Sequence, residues 1–303
     1  MLTKNEIFAL SLVDGVGSKS IQNIINANIS INDFDVNTLT QAIKGPKKKI
    51  AIDQILNNFE KFVDMAELSI INLRDENINL ISCLDSEYPK SFSNIHDKPI
   101  FLFAKGNLDL LNHNKSIAVV GSRKCSSFGK MAAFKTAEYF AEQNFNIVSG
   151  LALGIDTEAH KGALTVNGLT TAVLIDVQNV APLENVELSK NILDQNGLLI
   201  SENPPGTFPQ AGLYVNRNRL QSGLSQSVFV IETSLNGGTM HTAKFAMEQK
   251  KLLFCPDLLS FNDYPKDFEA SQGILKLINE NKSESYNKSK YQYVLEKINN
   301  NQG

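Results

Sequence analysis

The first 75 residues carry apolar positions at helical spacing. Thr3 followed by Glu6 makes a capping box ahead of Ile7, Leu10 and Leu12, which predicts a helix start there. Asp14-Gly15-Val16-Gly17-Ser18 reads as a tight turn, with Ser18 expected to cap a second helix that carries Ile21, Ile24 and Ile25. A helical stretch after Lys47 places Ile50, Ile52, Ile55, Leu56 and Phe59 on its apolar side. Two readings of the Gly-x-Gly turn stand side by side: an αα-hairpin that only packs, or a helix-hairpin-helix element that offers backbone N–H groups to a phosphate.

From about residue 76 the period changes. Short apolar runs at Leu80–Leu84, Ile100–Ala104, Ile117–Val120, Asn146–Ser149, Thr171–Ile175, Leu198–Ser201, Val228–Glu232 and Leu252–Cys255 predict strands. Between the later ones lie helical patterns near 129–143, 156–165, 184–195, 217–223 and 240–249. Wholly apolar strands separated by helices predict a mostly parallel sheet covered on both faces, an α/β, doubly wound, Rossmann-like core. The expected organisation is a small helical domain over 1–75 (helix-hairpin-helix or SAM-like), the Rossmann-like domain over 76–256, and a short polar tail over 257–303 without a winged helix. Within that tail 279–285 reads as a loop and Tyr291–Ile298 as one more helix.

Composition adds boundaries to this picture. Apolar content of 42% and charged content of 20% over 303 residues suit a globular chain. No apolar run is long enough to cross a membrane and the N-terminus does not look like a signal peptide. Cys83, Cys125 and Cys255 are widely spaced and in no metal-binding pattern, so a cytoplasmic protein with reduced thiols, no metal site and no cofactor is expected.

The net charge of −3 argues against a broadly basic surface, so polyanion binding requires local concentration of positive charge. Only four residues are arginine, and three of them, Arg123, Arg217 and Arg219, fall in two short segments. The planar guanidinium fork suits bidentate phosphate contacts in a way that lysine does not.

In an open parallel sheet ligands bind beyond the carboxyl ends of the strands, which directs attention to the loops there. After Val120 come Gly121, Ser122, Arg123 and Lys124: close backbone approach, a hydroxyl and two charges ahead of a helix N-terminus. The next strand leads into Gly150–Asp156, where Gly150 and Gly154 leave space above the sheet and Asp156 suits a helix N-cap better than a catalytic role. His160 fits a hydrogen-bonded structural histidine. Arg217, Asn218 and Arg219 are expected at a helix start, where the macrodipole disfavours cations unless an anion joins them. Tyr214 beside them is either a base-stacking aromatic or an ordinary half-buried one. Gly237, Gly238 and Thr239 form another phosphate-compatible turn.

These loops, in this order, resemble the DNA processing protein A (DprA/Smf) family. The matching runs are Ile117–Lys124, Val148–Leu164, Gly197–Gly206, Arg217–Ser225 and Gly238–Gln249, with Gly150–Asp156 and Arg217-Asn218-Arg219 as the family's recurring segments. The resemblance implies a non-catalytic protein that binds and protects single-stranded DNA, loads the RecA recombinase onto it during DNA uptake and transformation, and forms a homodimer. By matching position, Arg123 holds a phosphate, Arg217 and Arg219 line the same groove, and the family's stacking aromatic falls on Tyr214. The chain departs from the family pattern at Ile175–Pro182, where a glycine-rich turn and Tyr-Pro are usual, and at Asp257, where a glycine is common.

A second class shares this sheet: a nucleotide-binding sensor or phosphoribohydrolase-like protein of the lysine-decarboxylase-like (LOG) type. Its Pro-Gly-Gly-x-Gly-Thr-x-x-Glu run is incomplete here, since Asn236–Thr239 leads to Met240, His241 and Thr242 with no glutamate to act as general acid or base. Glu232, at a strand end, remains a candidate partner for a ribose.

Overall fold

The computed structural model describes residues 2–258, 264 and 268–301. They form two compact units, Met1–Tyr88 with Pro99–Leu102, and Pro89–Lys98 with Phe103–Gly303. The tail positions 259–263, 265–267 and 302–303 lie outside the described residues.

The first unit holds α1 (Lys4–Leu12), α2 (Ser18–Asn26), α3 (Val36–Ala42), α4 (Lys48–Asp75) and β1 (Asn79–Ser82). The capping box forms as expected: Glu6 N donates to Thr3 Oγ1 at 3.3 Å and Thr3 N donates to Glu6 Oε2 at 2.7 Å. The cap of α2 differs from expectation. Gly17, not Ser18, occupies it and brings no side-chain bond. Gly15 has φ of +91°, and a Cβ there would meet Lys47 Cβ at 2.7 Å, so the turn requires glycine for conformation and for space alike. α4 is interrupted at Asn58, whose backbone is not helical.

The second unit is the Rossmann-like sheet. Its strands are β2 (Phe101–Gly106, of which Phe103–Gly106 belong to this unit), β3 (Ser116–Val120), β4 (Asn146–Ser149), β5 (Thr170–Val173), β6 (Leu198–Ser201), β7 (Ser227–Val230), β8 (Leu252–Pro256) and β9 (Glu284–Tyr286). They run in the order β2-β6-β5-β4-β3-β7-β8-β9, with β2 antiparallel to β6 and the neighbouring pairs from β6 to β9 parallel. The chain therefore moves outward from β3 through β4, β5 and β6, then returns to the other side of β3 with β7. That reversal makes a switch point at the carboxyl ends of β3 and β7.

The helices of this unit are α5 (Ser127–Glu142), α6 (Ile155–Thr165), α7 (Val186–Asp194), α8 (Ala211–Gly223), α9 (Gly238–Glu248), α10 (Gln272–Asn279) and α11 (Tyr291–Asn300). Ile117, Val119, Ile147 and Phe229 pack with Ala133, Ala137 and Phe140 of α5 and Ala159 and Ala163 of α6. The alternate residues Ala118, Val120, Val148, Val228 and Val230 are equally buried, which is why these strands read as continuous apolar runs. Burying each large side chain stabilises the fold by roughly 1.5–3 kcal/mol.

Two expectations are corrected here. The loop expected over 279–285 gives way at Glu284 to β9, which pairs with β8 through Phe254↔Glu284 and Pro256↔Tyr286. Tyr286 is buried in the same core as Phe140 and Phe229, and its hydroxyl lies 2.7 Å from Thr136 Oγ1. The C-terminal segment thus completes the sheet instead of trailing from it. Likewise α8 starts at Ala211, six residues before Arg217, so Arg217 and Arg219 stand in the body of the helix and not at its N-terminus.

Candidate nucleic-acid interface

A cleft of about 590 Å³ lies at the switch point, lined by the loop after β3, by α8 and by the start of α9. Its first wall is Gly121–Lys124. A Cβ on Gly121 would meet Ile155 Cγ1 at 2.5 Å, so glycine lets this loop approach the start of α6. Ser122 N donates to Glu232 O at 2.7 Å, and its hydroxyl donates to Lys124 O at 2.8 Å, which folds the loop into a fixed turn. The Ser122 hydroxyl is thereby engaged by its own loop. Arg123 and Lys124 remain exposed.

Opposite stands Tyr214, in the first turn of α8 and half-buried. The Arg123 guanidinium lies over its ring at 5.2 Å from the centroid, a cation–π geometry that joins charge and aromatic face at the rim. Asn218, one turn along α8, donates from Nδ2 to Gly238 O at 3.3 Å and so ties α8 to the third wall. That wall is Gly237, Gly238 and Thr239. Gly237 caps α9 with no side-chain hydrogen bond, and a Cβ on Gly238 would meet nothing within 4 Å. Among the described residues the first amides of α9 thus have no side-chain acceptor, and a helix N-terminus of that kind favours an anion.

Arg217 lines the cleft but is 4% exposed. Its guanidinium occupies the space a side chain on Gly150 would need, so Gly150 serves to admit Arg217 and does not itself reach the cleft. With its amide oxygen turned toward the guanidinium, Gln221 accepts from Arg217 Nη1 at 2.5 Å and from Gly150 N at 2.9 Å. Arg217 Nε is left without a hydrogen-bond partner among the described residues. Burial pushes the Arg217 guanidinium down, opposed by the Asp156 charge, and pushes the Asp156 carboxyl up, opposed by Arg217.

Asp156 does not cap α6 as expected. Gly154 holds the cap at φ of +81°, where a Cβ would meet the carbonyl oxygens of Ser122 and Arg123 at 2.5 and 2.6 Å. The Asp156 carboxylate instead turns back to accept from Gly150 N at 3.1 Å and Ala152 N at 3.4 Å. Gly150 and Gly154 are thus conformational and packing positions beneath the cleft.

Arg219 is the clear correction. It does not line the cleft. Its Nη1 and Nη2 each donate to a Glu202 oxygen at 2.7 Å, its Nη2 also donates to Asp97 O at 2.9 Å, and its side chain is 6% exposed. Two helical positions after Arg217, its side chain leaves α8 on a different side, which the Arg-Asn-Arg run by itself does not distinguish. Glu232 is also accounted for. Its carboxylate accepts from Ser126 N at 2.8 Å, from the Ser126 hydroxyl at 2.5 Å and from Tyr264 at 3.0 Å, so it is held by the protein and not offered to a ribose.

His160 is buried, and its assigned role as a structural histidine agrees with its bonds. Thr170 Oγ1 donates to Ile147 O at 2.6 Å, so the 2.7 Å contact with His160 Nδ1 is completed by the imidazole proton on Nδ1. Nε2 then has no partner among the described residues. Burial, with Arg217 nearby, pushes the histidine down to about 3. A histidine depressed in the folded state binds fewer protons than its unfolded form between that value and about 6.5, so its contribution to stability is complete above pH 6.5 and is lost as the pH falls. Acid unfolding followed from pH 7 to 4 should therefore lose up to about 1.4 kcal/mol per pH unit from this residue, and His160→Gln should flatten the curve by about one proton. An unchanged slope would place the acid sensitivity elsewhere.

Several lining residues had no sequence signal. Gln221 lies buried behind Arg217, and Phe268, Glu269 and Ala270 come to the cleft from the C-terminal segment. Thr233 N donates to Ala270 O at 2.6 Å, which holds that segment to the loop after β7.

The family model for DNA recombination-mediator protein A matches residues 79–298. The chain belongs to that family. It is 32% identical over 233 residues to DNA processing protein DprA of Bacillus subtilis, covering 77% of this chain and 76% of that one. It is 40% identical over 189 residues to protein Smf of Escherichia coli, 62% of this chain and 50% of the relative. The DprA of Streptococcus pneumoniae is 42% identical over 176 residues, 57% and 61% of the two chains. Among solved structures, DNA processing protein A from Streptococcus pneumoniae superposes with a TM-score of 0.77 at 28% identity, over 97% of this chain and 98% of that one. DNA processing protein A from Helicobacter pylori, whose structure is described for its unique single-stranded DNA binding mode, superposes with a TM-score of 0.63 at 26% identity, over 73% and 96%. The recombination-mediator match runs through β9 and into α11, so it includes both the strand that the composition of the tail obscured and the helix expected at Tyr291–Ile298. No helix among the described residues is long and apolar enough to cross a membrane.

Proposed function

We propose that this member of the recombination-mediator family binds single-stranded DNA in the cleft at the switch point. In that reading Arg123 and the N-terminus of α9 hold phosphates, Lys124 adds charge at the rim, and Tyr214 stacks an unpaired base. The single observation that carries it is the Arg123 guanidinium poised over the Tyr214 ring at the mouth of a cleft whose third wall is an uncapped helix N-terminus. Arg217 contributes field from the floor of the cleft while Gly121, Asn218, Gly237, Gly238 and Thr239 set its shape.

In this reading the role is binding, and Glu232, the carboxylate that a nucleotide-cleaving reading would need, is already held by Ser126 and Tyr264. The bound strand is passed to a RecA-type recombinase during DNA uptake, in the cytoplasm, by a homodimer. This finer reading is supported by the likeness to the DprA and Smf relatives.

A fluorescence-anisotropy titration tests the reading. A labelled single strand is expected to bind at least about tenfold more tightly than its duplex, because stacking on Tyr214 requires an unpaired base. Mononucleotides should be recovered unchanged. Equal affinity for single and double strands would overturn it, and release of a free base would favour the nucleotide-cleaving class instead.

A further inference from the structure

In the second unit, large apolar side chains stand exposed in the loops beyond the carboxyl ends of the strands. Leu153 follows β4, Leu183 follows β5, Phe208 follows β6 and Leu235 follows β7. Phe208 is the aromatic one and is 79% exposed. An isolated exposed apolar residue on a loose loop needs no explanation. This loop, however, is braced along its length.

Asn203 donates from Nδ2 to Ile175 O at 3.3 Å and from its backbone to Ser201 Oγ at 2.9 Å. Gly206, at φ of +84°, donates its N–H to Asp176 Oδ2 at 2.8 Å. Thr207 donates to Pro204 O from its backbone at 3.2 Å and from its hydroxyl at 2.6 Å, closing a turn over Pro205 and Gly206. Pro209 follows with a fixed φ, and Gln210 caps α8. Phe208 is thus an aromatic face presented to solvent between two fixed points, so little ordering entropy is spent when something lies on it.

Its position relative to the cleft follows from chain geometry. It lies two positions before the Gln210 cap, with Pro209 between, and Tyr214 lies one helical turn beyond. The two Cα atoms are therefore no more than about 14 Å apart. At about 3.4 Å per stacked step that is roughly four nucleotides, and fewer in a more extended strand.

We propose that Phe208 is a second base-stacking platform, which continues the path of the bound strand from Tyr214 along the carboxyl edge of the sheet toward β6. The inference rests on the single-strand reading of the cleft and adds a contact site and a direction to it. An aromatic face accepts any base, so the platform takes unpaired nucleotides without regard to sequence.

The chain contains no tryptophan, so Phe208→Trp places the sole indole of the protein at the proposed contact. Addition of a deoxythymidine oligomer is expected to quench that emission, while a base-free phosphodiester of equal length leaves it unchanged. Phe208→Ala is expected to bind the oligomer roughly fivefold more weakly by anisotropy, with Phe208→Tyr close to the parent. If the parent binds but the indole does not respond and Phe208→Ala keeps full affinity, the platform is wrong while the cleft reading stands. If the base-free chain quenches equally, the contact is to backbone and stacking is refuted. A change in emission on raising the protein concentration without DNA would assign the residue to a protein contact. If the parent binds no single strand, both readings fall.

Discussion

Arg219→Ala is expected to lose about 3 kcal/mol of stability and to leave the salt dependence of oligonucleotide binding unchanged. The guanidinium is almost fully enclosed and makes paired bonds to Glu202, whose side chain is 17% exposed. Truncation leaves that half-buried carboxylate with its principal partner gone, and removing one member of an enclosed ion pair is strongly destabilising. It also releases Asp97 O from a 2.9 Å bond and so loosens the segment before β2 from α8. Urea unfolding measures the loss. Glu202→Gln in the same chain should recover part of it, because the stranded charge is then gone. A loss below about 0.5 kcal/mol would show that Glu202 rehydrates freely, and a shallower salt slope would return Arg219 to the groove.

Arg123→Ala is expected to do the reverse. Its side chain is exposed and its partner in the structure is the face of Tyr214, so folding gains little from it. Loss of one charge-assisted phosphate contact removes about 2 kcal/mol of binding, or roughly thirtyfold in affinity at low salt. The log–log salt slope for single strands should become shallower by about 0.7, one phosphate's share. Since Arg217 is buried and Arg219 is paired, the parent slope itself should be modest, reflecting Arg123, Lys124 and the α9 amides and not three exposed arginines. Affinity across a salt series, with melting temperature alongside, separates the two arginines. A parallel loss of stability and affinity in Arg123→Ala would reduce the cleft to a packing feature.

The contrast between these arginines marks how far the sequence could be read. Strands such as Ile117–Val120 and Leu198–Ser201 were legible because a parallel strand buried on both faces leaves an apolar run that nothing else in the chain imitates. The loops after β3 and β7 were legible for a related reason, since topology fixes where they must lie. The destination of a guanidinium is different. Glu202 lies 17 positions before Arg219 and Asp97 lies 122 before it, and only folding brings them to the same side of α8. The start of α8 was hidden by its own residues: Gly212, Val215 and Asn216 are poor helix formers, and Gln210 supplies no capping bond. β9 was hidden by brevity. Its Glu284, Ser285 and Tyr286 have no strand pattern of their own and are held by the ladder to β8 and the burial of one tyrosine ring.

That last strand also orders events during synthesis. β8 is made some thirty positions before its partner, since its residues end at Pro256 and β9 begins at Glu284. Until β9 arrives, Leu252–Pro256 presents an unpaired apolar edge with free N–H and C=O groups, and the cavity that Tyr286 fills beside Phe229 stands open. The nascent protein therefore passes through a stage in which the cleft-lining loops after β3 and β7 already exist but the sheet beside them can still recruit a foreign strand. The vulnerable interval closes only when the chain has been made as far as α11, whose Val294, Leu295 and Ile298 seal the same core.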